Sequence, residues 1–263
     1  LIEVDTKFKN LEKSINCGKN TIREYDKKIP KDLTAEEILI RSGNIGSVRI
    51  GQKIGIEKFK YFLTKINLIN KIEFDIDEIG IPIPFKWGKC KLATTSFGHG
   101  ITTTPLQLAK GYAIISNGGF EVNPTIIKEN EKKLIKYKKR IIKENVSKKI
   151  NPILRKIVTT KEGTASLANV DGYEVGGKTG TAQTSIIGGY SNKKINTFSS
   201  IFPTSNPKYV LIVMLDEPKT NSEYIYHYRD GSGIKYKGTP FNTAGWTSVE
   251  VVGQIIEKIG PIL

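Results

Sequence analysis

Apolar residues recur at helical spacing through most of the first two thirds of the chain and gather into short runs in the last third. Spacings of three and four place side chains on one face of a helix, whereas short β-branched runs favour strands. The predicted helices begin after Thr34, at Ile45, at Phe59, after Thr104 and at Asn151-Pro152; the predicted strands span 197–202 and 209–215, and a last helix begins near Thr247. This order predicts a mixed α/β (α+β) fold.

Two helix starts carry capping signals. Thr34 is followed three residues later by Glu37, which is the spacing of a capping box. Thr104 precedes Pro105, and proline is favoured at the first position of a helix because its missing N–H needs no partner there. The Asn-Gly-Gly sequence at 117–119 predicts the end of this helix.

Polar breaks separate the helices. Ser42-Gly43-Asn44 lies between the first two helices, where side chains can face a cleft, although such a tripeptide is often only a turn. Gly46 and Gly51 in the second helix permit close packing against a neighbour. Residues 75–87 contain Pro82 and Pro84 and predict an extended loop, and residues 94–100 predict a mobile polar loop.

The most distinctive stretch runs from Gly176 to Gln183, with the sequence Gly-Gly-Lys-Thr-Gly-Thr-Ala-Gln. In an edge strand, Lys178 and Gly180 point to one face, and Thr179 and Thr181 point to the other. A cation, two hydroxyls and a glycine that allows close backbone approach suit a peptide ligand that ends in a carboxylate. The alternative is a glycine-rich turn with a solvated lysine.

A second interpretation of this stretch is a phosphate loop. Gly172, Gly177, Lys178 and Thr179 have the spacing of that motif, and 216–217 (Asp-Glu) follows an apolar strand, as in magnesium-binding ATPases. A phosphate loop needs a helix that begins at the Lys-Thr pair, so that amides and the helix dipole face the phosphates. The glycines and β-branched residues after Gly180 form poor helices and favour strand and turn. The sequence therefore disfavours a P-loop-type ATPase.

The second predicted strand and the charge distribution complete the pattern. Residues 209–215 are apolar on both faces, which predicts a central, buried strand.

The chain has 263 residues, is 38% hydrophobic and carries a formal net charge of +15. The basic residues are scattered, and the densest run, 128–149, is interrupted by glutamates, so no nucleic-acid partner is predicted.

The cysteines and termini add limited information. Cys17 and Cys90 have neither metal-site nor redox-motif spacing, which favours two independent thiols over a single disulfide. No run approaches the ~20 apolar residues of a membrane span, and we expect no signal peptide within this sequence. Residue 1 is Leu rather than Met, so we expect a chain cut at its N-terminus.

Four sequence pieces occur in an order that resembles the transpeptidase domain of class B penicillin-binding proteins, the serine enzymes that cross-link peptidoglycan. They are Ser42-Gly-Asn44, the 96–109 segment that begins Ser-Phe-Gly-His-Gly, Glu162-Gly-Thr-Ala165 and Gly177-Lys-Thr-Gly-Thr-Ala-Gln183. Two further pieces, 213–218 and 243–246, resemble the division-specific (septal) branch. The resemblance covers essentially the whole chain, 1–263, as one domain. It implies a serine β-lactamase-like fold, with an antiparallel sheet flanked by helices.

The family uses three motifs, Ser-x-x-Lys, Ser-x-Asn and Lys-Thr-Gly. Ser42-Gly43-Asn44 matches the second, with glycine where a side chain is usual, and 178–180 (Lys-Thr-Gly) matches the third. No Ser-x-x-Lys lies upstream of Ser42; the only match, 191–194, falls in a turn and is taken as chance. We expect a C-terminal fragment that by itself acylates no β-lactam and is prone to aggregate, because its sheet lacks the preceding strands.

The resemblance implies roles for six residues toward a stem peptide ending in D-Ala-D-Ala. Lys178 supplies positive potential for the substrate carboxylate, which Thr179 and Thr181 hydrogen-bond, and Gly180 lets the substrate approach. The backbone N–H of Thr181 is one oxyanion donor. Ser42 relays a proton to the departing D-alanine, and Asn44 holds a substrate amide and the catalytic lysine. The two groups are expected to line opposite sides of one groove.

The resemblance also implies partners and a compartment. Peptidoglycan stem peptides and β-lactams are the expected ligands, with no cofactor, metal or nucleic acid. Divisome or glycan-polymerase membrane proteins are expected partners of an enzyme anchored in the bacterial inner membrane and active in the periplasm. His99 is expected in a loop and His227 at the surface, neither as a catalytic base. The alternatives within this fold are a carboxypeptidase, a class D β-lactamase, a penicillin sensor and a non-catalytic scaffold.

Overall fold

The computed structural model describes residues 2–18, 20–77, 79–128, 139–186, 189–239 and 241–263. The chain divides into two compact units, Leu1–Ile150 and Asn151–Leu263, where the sequence predicts one domain. Each unit is described by itself. The secondary structure is a mixture of helices and antiparallel strand pairs, which confirms the predicted mixed α/β class.

The first unit combines four short strands with helices α1–α5. Its strands are β1 (Lys7–Phe8), β2 (Ser14–Cys17), β3 (Asn20–Arg23) and β4 (Leu33–Thr34), paired as β1 with β4 and β2 with β3. Its helices are α1 (Ala35–Ile40), α2 (Asn44–Ile54), α3 (Ile56–Lys65), α4 (Lys89–Ser96) and α5 (Pro105–Ser116). Both capping predictions are confirmed, because Thr34 forms a capping box with Glu37 and Thr104 forms one with Gln107.

Two helix boundaries in this unit differ from the sequence prediction. The predicted loop at 94–100 was wrong in its first part, because 94–96 form the last turn of α4 and the loop begins only at Phe97. Two hydroxyls of this helix donate back to its own carbonyls, Thr94 Oγ1 to Cys90 O at 3.2 Å and Ser96 Oγ to Leu92 O at 2.7 Å, so these polar side chains do not end it. Helix α3 ends at Lys65, whereas the apolar pattern of the sequence predicts a helix that continues to Ile69.

One of the apolar core clusters of the first unit packs tightly around α2. It contains Leu11, Ile22, Leu33, Ile38, Ile45, Val48 and Ala93. A Cβ added at Gly46 would lie 2.5 Å from the Ile38 side chain, and one at Gly51 would lie 1.9 Å from Ser96 Oγ. These distances confirm that both glycines permit close packing, of α2 against α1 and against α4.

The two cysteines form a disulfide, so the prediction of independent thiols was wrong. Cys17 ends β2, Cys90 is the second residue of α4, and their Cα atoms lie 5.3 Å apart. The pair is separated by 73 residues in sequence, and such a long-range bond has no spacing signature. The bond ties the β2–β3 hairpin to α4.

A long helix, α6 (Glu144–Thr159), contains the boundary between the two units. The predicted start at Asn151-Pro152 was wrong, because the helix begins at Glu144 and Pro152 lies inside it. The helix gives up one backbone hydrogen bond at this proline, and its buried stripe provides the compensating packing. That stripe is the predicted one, Ile153, Leu154, Ile157 and Val158, each at most 4% exposed.

The second unit is built on a three-stranded antiparallel sheet. Its strands are β5 (Gly176–Ile186), β6 (Gly189–Phe202) and β7 (Tyr209–Asp216), in the order β5-β6-β7. The prediction that 209–215 is a central strand was wrong, because β7 pairs only with β6 among the described strands. One apolar face of β7 packs against helix α7 (Ser248–Ile259) rather than between two strands, and Met214 remains 49% exposed.

Several shorter elements and a final helix complete the described part of the second unit. The polar segment after β7 contains a small hairpin, β8 (Ile225–His227) paired with β9 (Lys235–Lys237). Three short 3₁₀ segments lie at Ser166–Ala168, Ala244–Trp246 and Gly260–Ile262. The final helix begins at Ser248, close to the predicted Thr247. Of the four apolar residues that the sequence places on its inner face, Val249, Val252 and Ile256 are buried and Ile255 is half-buried.

Candidate active site

The Ser-Gly-Asn motif forms the turn between α1 and α2, as predicted. The half-buried Ser42 has a φ of 56°, and this left-handed conformation reverses the chain. The amide of Ser42 donates to Leu39 O at 3.3 Å, and that of Gly43 donates to Ile38 O at 2.9 Å. The motif is therefore held by the end of α1, and Asn44 is the first residue of α2.

The carboxylate of Glu24, the residue directly after β3, holds the start of α2. Glu24 accepts the backbone N–H of Asn44 at 2.7 Å and that of Ile45 at 2.9 Å. The Asn44 side-chain amide donates from Nδ2 to Arg23 O at 2.9 Å. The first amides of a helix have no intrahelical acceptor, so these bonds satisfy donors that Gly43, the N-cap residue, cannot. With Nδ2 used in this way, Oδ1 is the acceptor that Asn44 can offer to a ligand.

The Lys178–Thr181 segment lies in β5, at the edge of the sheet. Lys178 pairs with Ser199 and Thr181 with Asn196 of β6, and β5 pairs with no other described strand. The strand continues to Ile186 without turning into a helix. A phosphate loop requires a helix there, so the structure contradicts the ATPase interpretation.

The ammonium of Lys178 is the principal cation of this strand. Its Nζ donates to Thr179 O at 3.1 Å. The side chain is half-buried, and desolvation of the ammonium lowers the pKa of Lys178 to about 8. A cation shielded from water attracts an anion more strongly than an exposed one does, because the surrounding dielectric is lower.

The two threonines of β5 meet different parts of the second unit. Thr179 Oγ1 lies 2.7 Å from Thr164 Oγ1, and Thr181 Oγ1 accepts the backbone N–H of Ala244 at 2.9 Å. The Thr181 hydroxyl therefore receives one hydrogen bond and keeps its own proton to donate. In the Thr164–Thr179 pair, one hydroxyl donates its proton to the other. The second hydroxyl can therefore donate its own proton to a further acceptor.

Two glycines of β5 differ in the space around them. A Cβ at Gly177 would lie 2.5 Å from Ser199 O and would strike the Phe198 ring. A Cβ at the exposed Gly180 would meet nothing closer than Thr197, at 3.9 Å. The predicted room for close approach therefore exists at Gly180, on the side of the strand opposite the two threonine hydroxyls.

Three residues that contact the two motifs, Thr164, Ala244 and Glu24, received no predicted role from the sequence. Thr164 belongs to the Glu162–Ala165 piece of the resemblance, and Ala244 belongs to the 243–246 piece, so both pieces were visible without their contacts. Glu24 carries no local signal, because its partners lie 20 and 21 residues away. The one indirect signal is the glycine at the N-cap of α2, because a helix that starts at glycine needs an acceptor from elsewhere in the chain.

The two histidines occupy the expected kinds of position, His99 in a loop and His227 at the surface. His99 follows α4 in a loop, its ring centroid 4.9 Å from that of Phe97, and burial lowers its pKa. His227 is exposed on β8. Across the described residues, no group of three or more His, Cys, Asp or Glu side chains could hold a metal ion. The same described helices include none that is both long and apolar enough to cross a membrane.

Comparison with known proteins places these motifs in a family context. Residues 1–232 match the family model described as the penicillin binding protein transpeptidase domain. A probable peptidoglycan D,D-transpeptidase FtsI from Caulobacter vibrioides is 30% identical over 255 residues, covering 94% of this chain and 41% of that protein. A peptidoglycan D,D-transpeptidase FtsI homolog from Mesostigma viride is 33% identical over 231 residues, covering 74% and 38%.

The solved structures agree in fold. The apo transpeptidase domain of Burkholderia pseudomallei penicillin-binding protein 3 superimposes with a TM-score of 0.81 at 23% identity, covering 99% of this chain and 73% of that one. The chain spans about two fifths of the length of the first two curated relatives.

Proposed function

Because this chain belongs to the penicillin-binding protein transpeptidase domain family, we propose that it supplies the substrate-binding and proton-transfer residues of a division-type peptidoglycan D,D-transpeptidase. The reaction would cross-link stem peptides by serine acyl transfer at D-Ala-D-Ala. β-Lactams would acylate the same serine, since they resemble that dipeptide. The complete reaction is proposed for a protein that contains both this chain and a Ser-x-x-Lys segment.

One observation carries the proposal: an edge strand presents a desolvated lysine, two oriented threonine hydroxyls and an open glycine. An extended peptide can add to such an edge as a further strand, so that main-chain hydrogen bonds bind it and side chains select it. Lys178 would attract the terminal carboxylate, and Thr179 and Thr181 would donate hydrogen bonds to it. Gly180 would leave room for the peptide backbone.

The chemical step would follow the usual course of serine acyl transfer. The serine of Ser-x-x-Lys gives its proton to the lysine of that motif and attacks the penultimate carbonyl, and the resulting oxyanion is stabilised by the Thr181 N–H and by the N–H of that serine. The bond to the terminal D-alanine then breaks, and Ser42 relays a proton to the departing amine. Asn44 would hold the catalytic lysine and a substrate amide through Oδ1. An amine from a second stem peptide then takes the acyl group and releases the serine.

We also propose that the enzyme works in the periplasm, anchored in the inner membrane and associated with divisome or glycan-polymerase proteins. The Cys17–Cys90 disulfide supports an oxidising compartment, because structural disulfides rarely persist in a reducing cytosol. The substrate, peptidoglycan, lies in the same compartment.

The test is acylation of the full-length protein by a fluorescent penicillin. We expect a covalent adduct on the serine of Ser-x-x-Lys, found by peptide mass spectrometry, and release of D-alanine from a synthetic stem peptide. Lys178→Ala should abolish acylation while the melting temperature stays within a few degrees of wild type. Normal acylation of this variant would contradict the site assignment.

The assays also separate the proposed enzyme from its alternatives. A penicillin sensor would form the adduct but release no D-alanine, and a carboxypeptidase would release D-alanine without forming a cross-linked product when an acceptor peptide is added. A wild-type protein that forms no adduct would contradict the proposal as a whole.

A further inference from the structure

We propose that Glu24 is a positioning residue for the Ser-Gly-Asn motif, and that the Cys17–Cys90 disulfide secures the hairpin that carries it. The inference rests on the proposed function, because it explains how the motif is kept in a reactive geometry. It assigns to Glu24 no contact with substrate.

The first step is the arrangement at the start of α2. The N-cap position is occupied by Gly43, which has no side chain to accept from the helix amides. Glu24 provides both carboxylate oxygens instead, one to the Asn44 amide and one to the Ile45 amide. A carboxylate at a helix N-terminus is also favoured by the helix dipole. Charge-assisted bonds of this kind are stronger than neutral ones, so Glu24 fixes the first turn of α2.

The second step links this anchor to Asn44's side chain. Arg23, the neighbour of Glu24, accepts from Asn44 Nδ2 through its carbonyl. Main chain and side chain of Asn44 are thus both held by consecutive residues of the same segment. A shift of that segment would therefore move the Asn44 amide group directly.

The third step concerns what holds the segment. Residues 14–17 and 20–23 form the β2–β3 hairpin, and Glu24 follows its second strand immediately. Cys17 lies at the turn end of this hairpin, where the disulfide joins it to α4. The side chain of Ile22, 7% exposed, anchors the middle of the hairpin in the core. The hairpin is therefore fixed at its turn end by a covalent bond and at its other end by Glu24.

The principal variant is Glu24→Ala in the full-length protein. We expect the second-order rate constant for penicillin acylation, measured per folded molecule, to fall by roughly ten- to hundredfold, because small misplacements of catalytic groups have effects of that size. Hydrogen–deuterium exchange of the 42–47 segment should accelerate, and exchange in α5 should stay unchanged. A purely structural role would instead reduce the folded fraction without changing the rate constant of the folded molecules.

A rescue variant and a control sharpen the test. A Cβ at Gly43 would lie 3.6 Å from Glu24 Oε1 and 3.9 Å from Ile38, so a side chain fits there. Gly43→Ser in the Glu24→Ala background should restore most of the rate, since serine is a preferred N-cap. The control is Glu12→Ala, which removes an exposed acid that bonds Arg49 in the middle of α2. It should change the acylation rate by less than about twofold.

The disulfide is tested by the double variant Cys17→Ser and Cys90→Ser. It should accelerate exchange of the same 42–47 segment and lower the acylation rate constant of the folded protein by a smaller factor than Glu24→Ala does. If Glu24→Ala shows wild-type acylation rates and wild-type exchange, the inference is overturned, although acylation of the wild-type protein would still support the proposed function. Failure of the wild-type protein to acylate would overturn the proposed function, and the exchange measurement would still decide whether Glu24 holds the motif.

Discussion

The hydroxyl oxygens of Thr164 and Thr179 lie 2.7 Å apart, which joins the loop of the Glu162–Ala165 piece to the edge strand that carries Lys178. Neither residue type is unusual in its own segment. The contact shows that two separate pieces of the sequence resemblance act as one structural unit. Either hydroxyl can donate to the other, so the contact holds the Thr179 side chain in place whichever of the two protons it uses.

Replacing Thr164 by valine should therefore lower acylation more than stability. The variant keeps the shape of the side chain but removes the hydroxyl that orients Thr179. We expect acylation of the full-length protein to slow by roughly tenfold, whereas one lost hydrogen bond costs only about 1 kcal/mol of folding free energy. Thr164→Ser, which retains the hydroxyl, should behave like wild type in both measurements. Equal acylation rates for the two variants would show that the contact has no role in the reaction.

Gly180 and Gly177 should respond in opposite ways to alanine. Gly180 has no left-handed φ, and a Cβ there meets nothing closer than 3.9 Å, so Gly180→Ala should fold and melt normally. If a substrate backbone approaches at this point, the added methyl group should slow acylation by roughly 10- to 100-fold. Gly177→Ala should instead destabilise the fold by roughly 1–3 kcal/mol, because its Cβ would lie 2.5 Å from Ser199 O. Thermal melts and penicillin labelling of both variants check the contrast.

Much of this arrangement could be predicted from local sequence. The caps at Thr34 and Thr104, the break at Ser42–Asn44 and the strand of Lys178 all depend on residues within a few positions of one another. Local chemistry of this kind is legible because a cap or a turn is made by neighbours in the chain. The six candidate residues lie in such local motifs, but the family resemblance supplied their roles, and those roles remain proposals.

The features that the sequence did not predict depend on distant partners. The Cys17–Cys90 bond and the Glu24 anchor each join segments at least 20 residues apart. Pro152 suggested a helix start because proline usually lies in a first turn, but the packing of the residues around it outweighs the lost hydrogen bond. Similarly, residues 209–215 are apolar on both faces, a pattern that does not distinguish a strand flanked by strands from one covered by a helix.

The lowered pKa of Lys178 should make both the folding stability and the acylation rate depend on pH. Its pKa of about 8 lies below the usual 10.5, so the folded protein releases a proton that the unfolded chain keeps between these values. Stability should therefore rise with pH across this window, and the cost of burying the ammonium should be fully present below pH 8. If the ammonium attracts the carboxylate of penicillin, acylation should decline as the pH rises through about 8.

The control for this pH profile is Lys178→Arg. Guanidinium stays charged throughout the accessible pH range, so the alkaline decline should disappear even if the overall rate is lower. A decline that persists unchanged in Lys178→Arg would assign it to another group, such as the lysine of Ser-x-x-Lys. Rate constants measured between pH 6 and 9 are sufficient, because the predicted midpoint lies inside that range.

Loss of the disulfide should reduce stability substantially. Cross-linking residues separated by 73 positions restricts the unfolded chain, and the chain-entropy relation gives about 4 kcal/mol for a loop of that length. The double variant Cys17→Ser and Cys90→Ser should therefore lower the urea midpoint clearly. Thiol titration of the denatured wild-type protein without reductant should detect no free thiol. Two reactive thiols in that measurement would contradict the bond.

The buried ion pair of the second unit offers the last prediction. Arg229 donates to both oxygens of Glu250 at 2.8 Å, and each side chain is only 6% exposed. Arg229 also donates to Leu167 O at 2.9 Å, so the pair joins the β8–β9 hairpin, helix α7 and the 3₁₀ segment at Ser166–Ala168. The side-chain bonds to Glu250 and Glu257 favour the charged guanidinium and raise its pKa against the opposing effect of burial.

Removing Arg229 leaves the Glu250 carboxylate buried without its counterion, which typically costs 3–5 kcal/mol. Arg229→Ala should destabilise the chain by about that amount, which corresponds to roughly 10 °C in melting temperature. Glu250→Ala should cost less, because Arg229 keeps its bond to Glu257. The double variant Arg229→Met and Glu250→Leu should lose much less, since no charge is then left buried. As a matched control, Lys237→Ala breaks an exposed pair with Glu223 on the same hairpin and should cost under about 1 kcal/mol. Equal losses for Lys237→Ala and Arg229→Ala would show that the buried pair does not hold the hairpin in place.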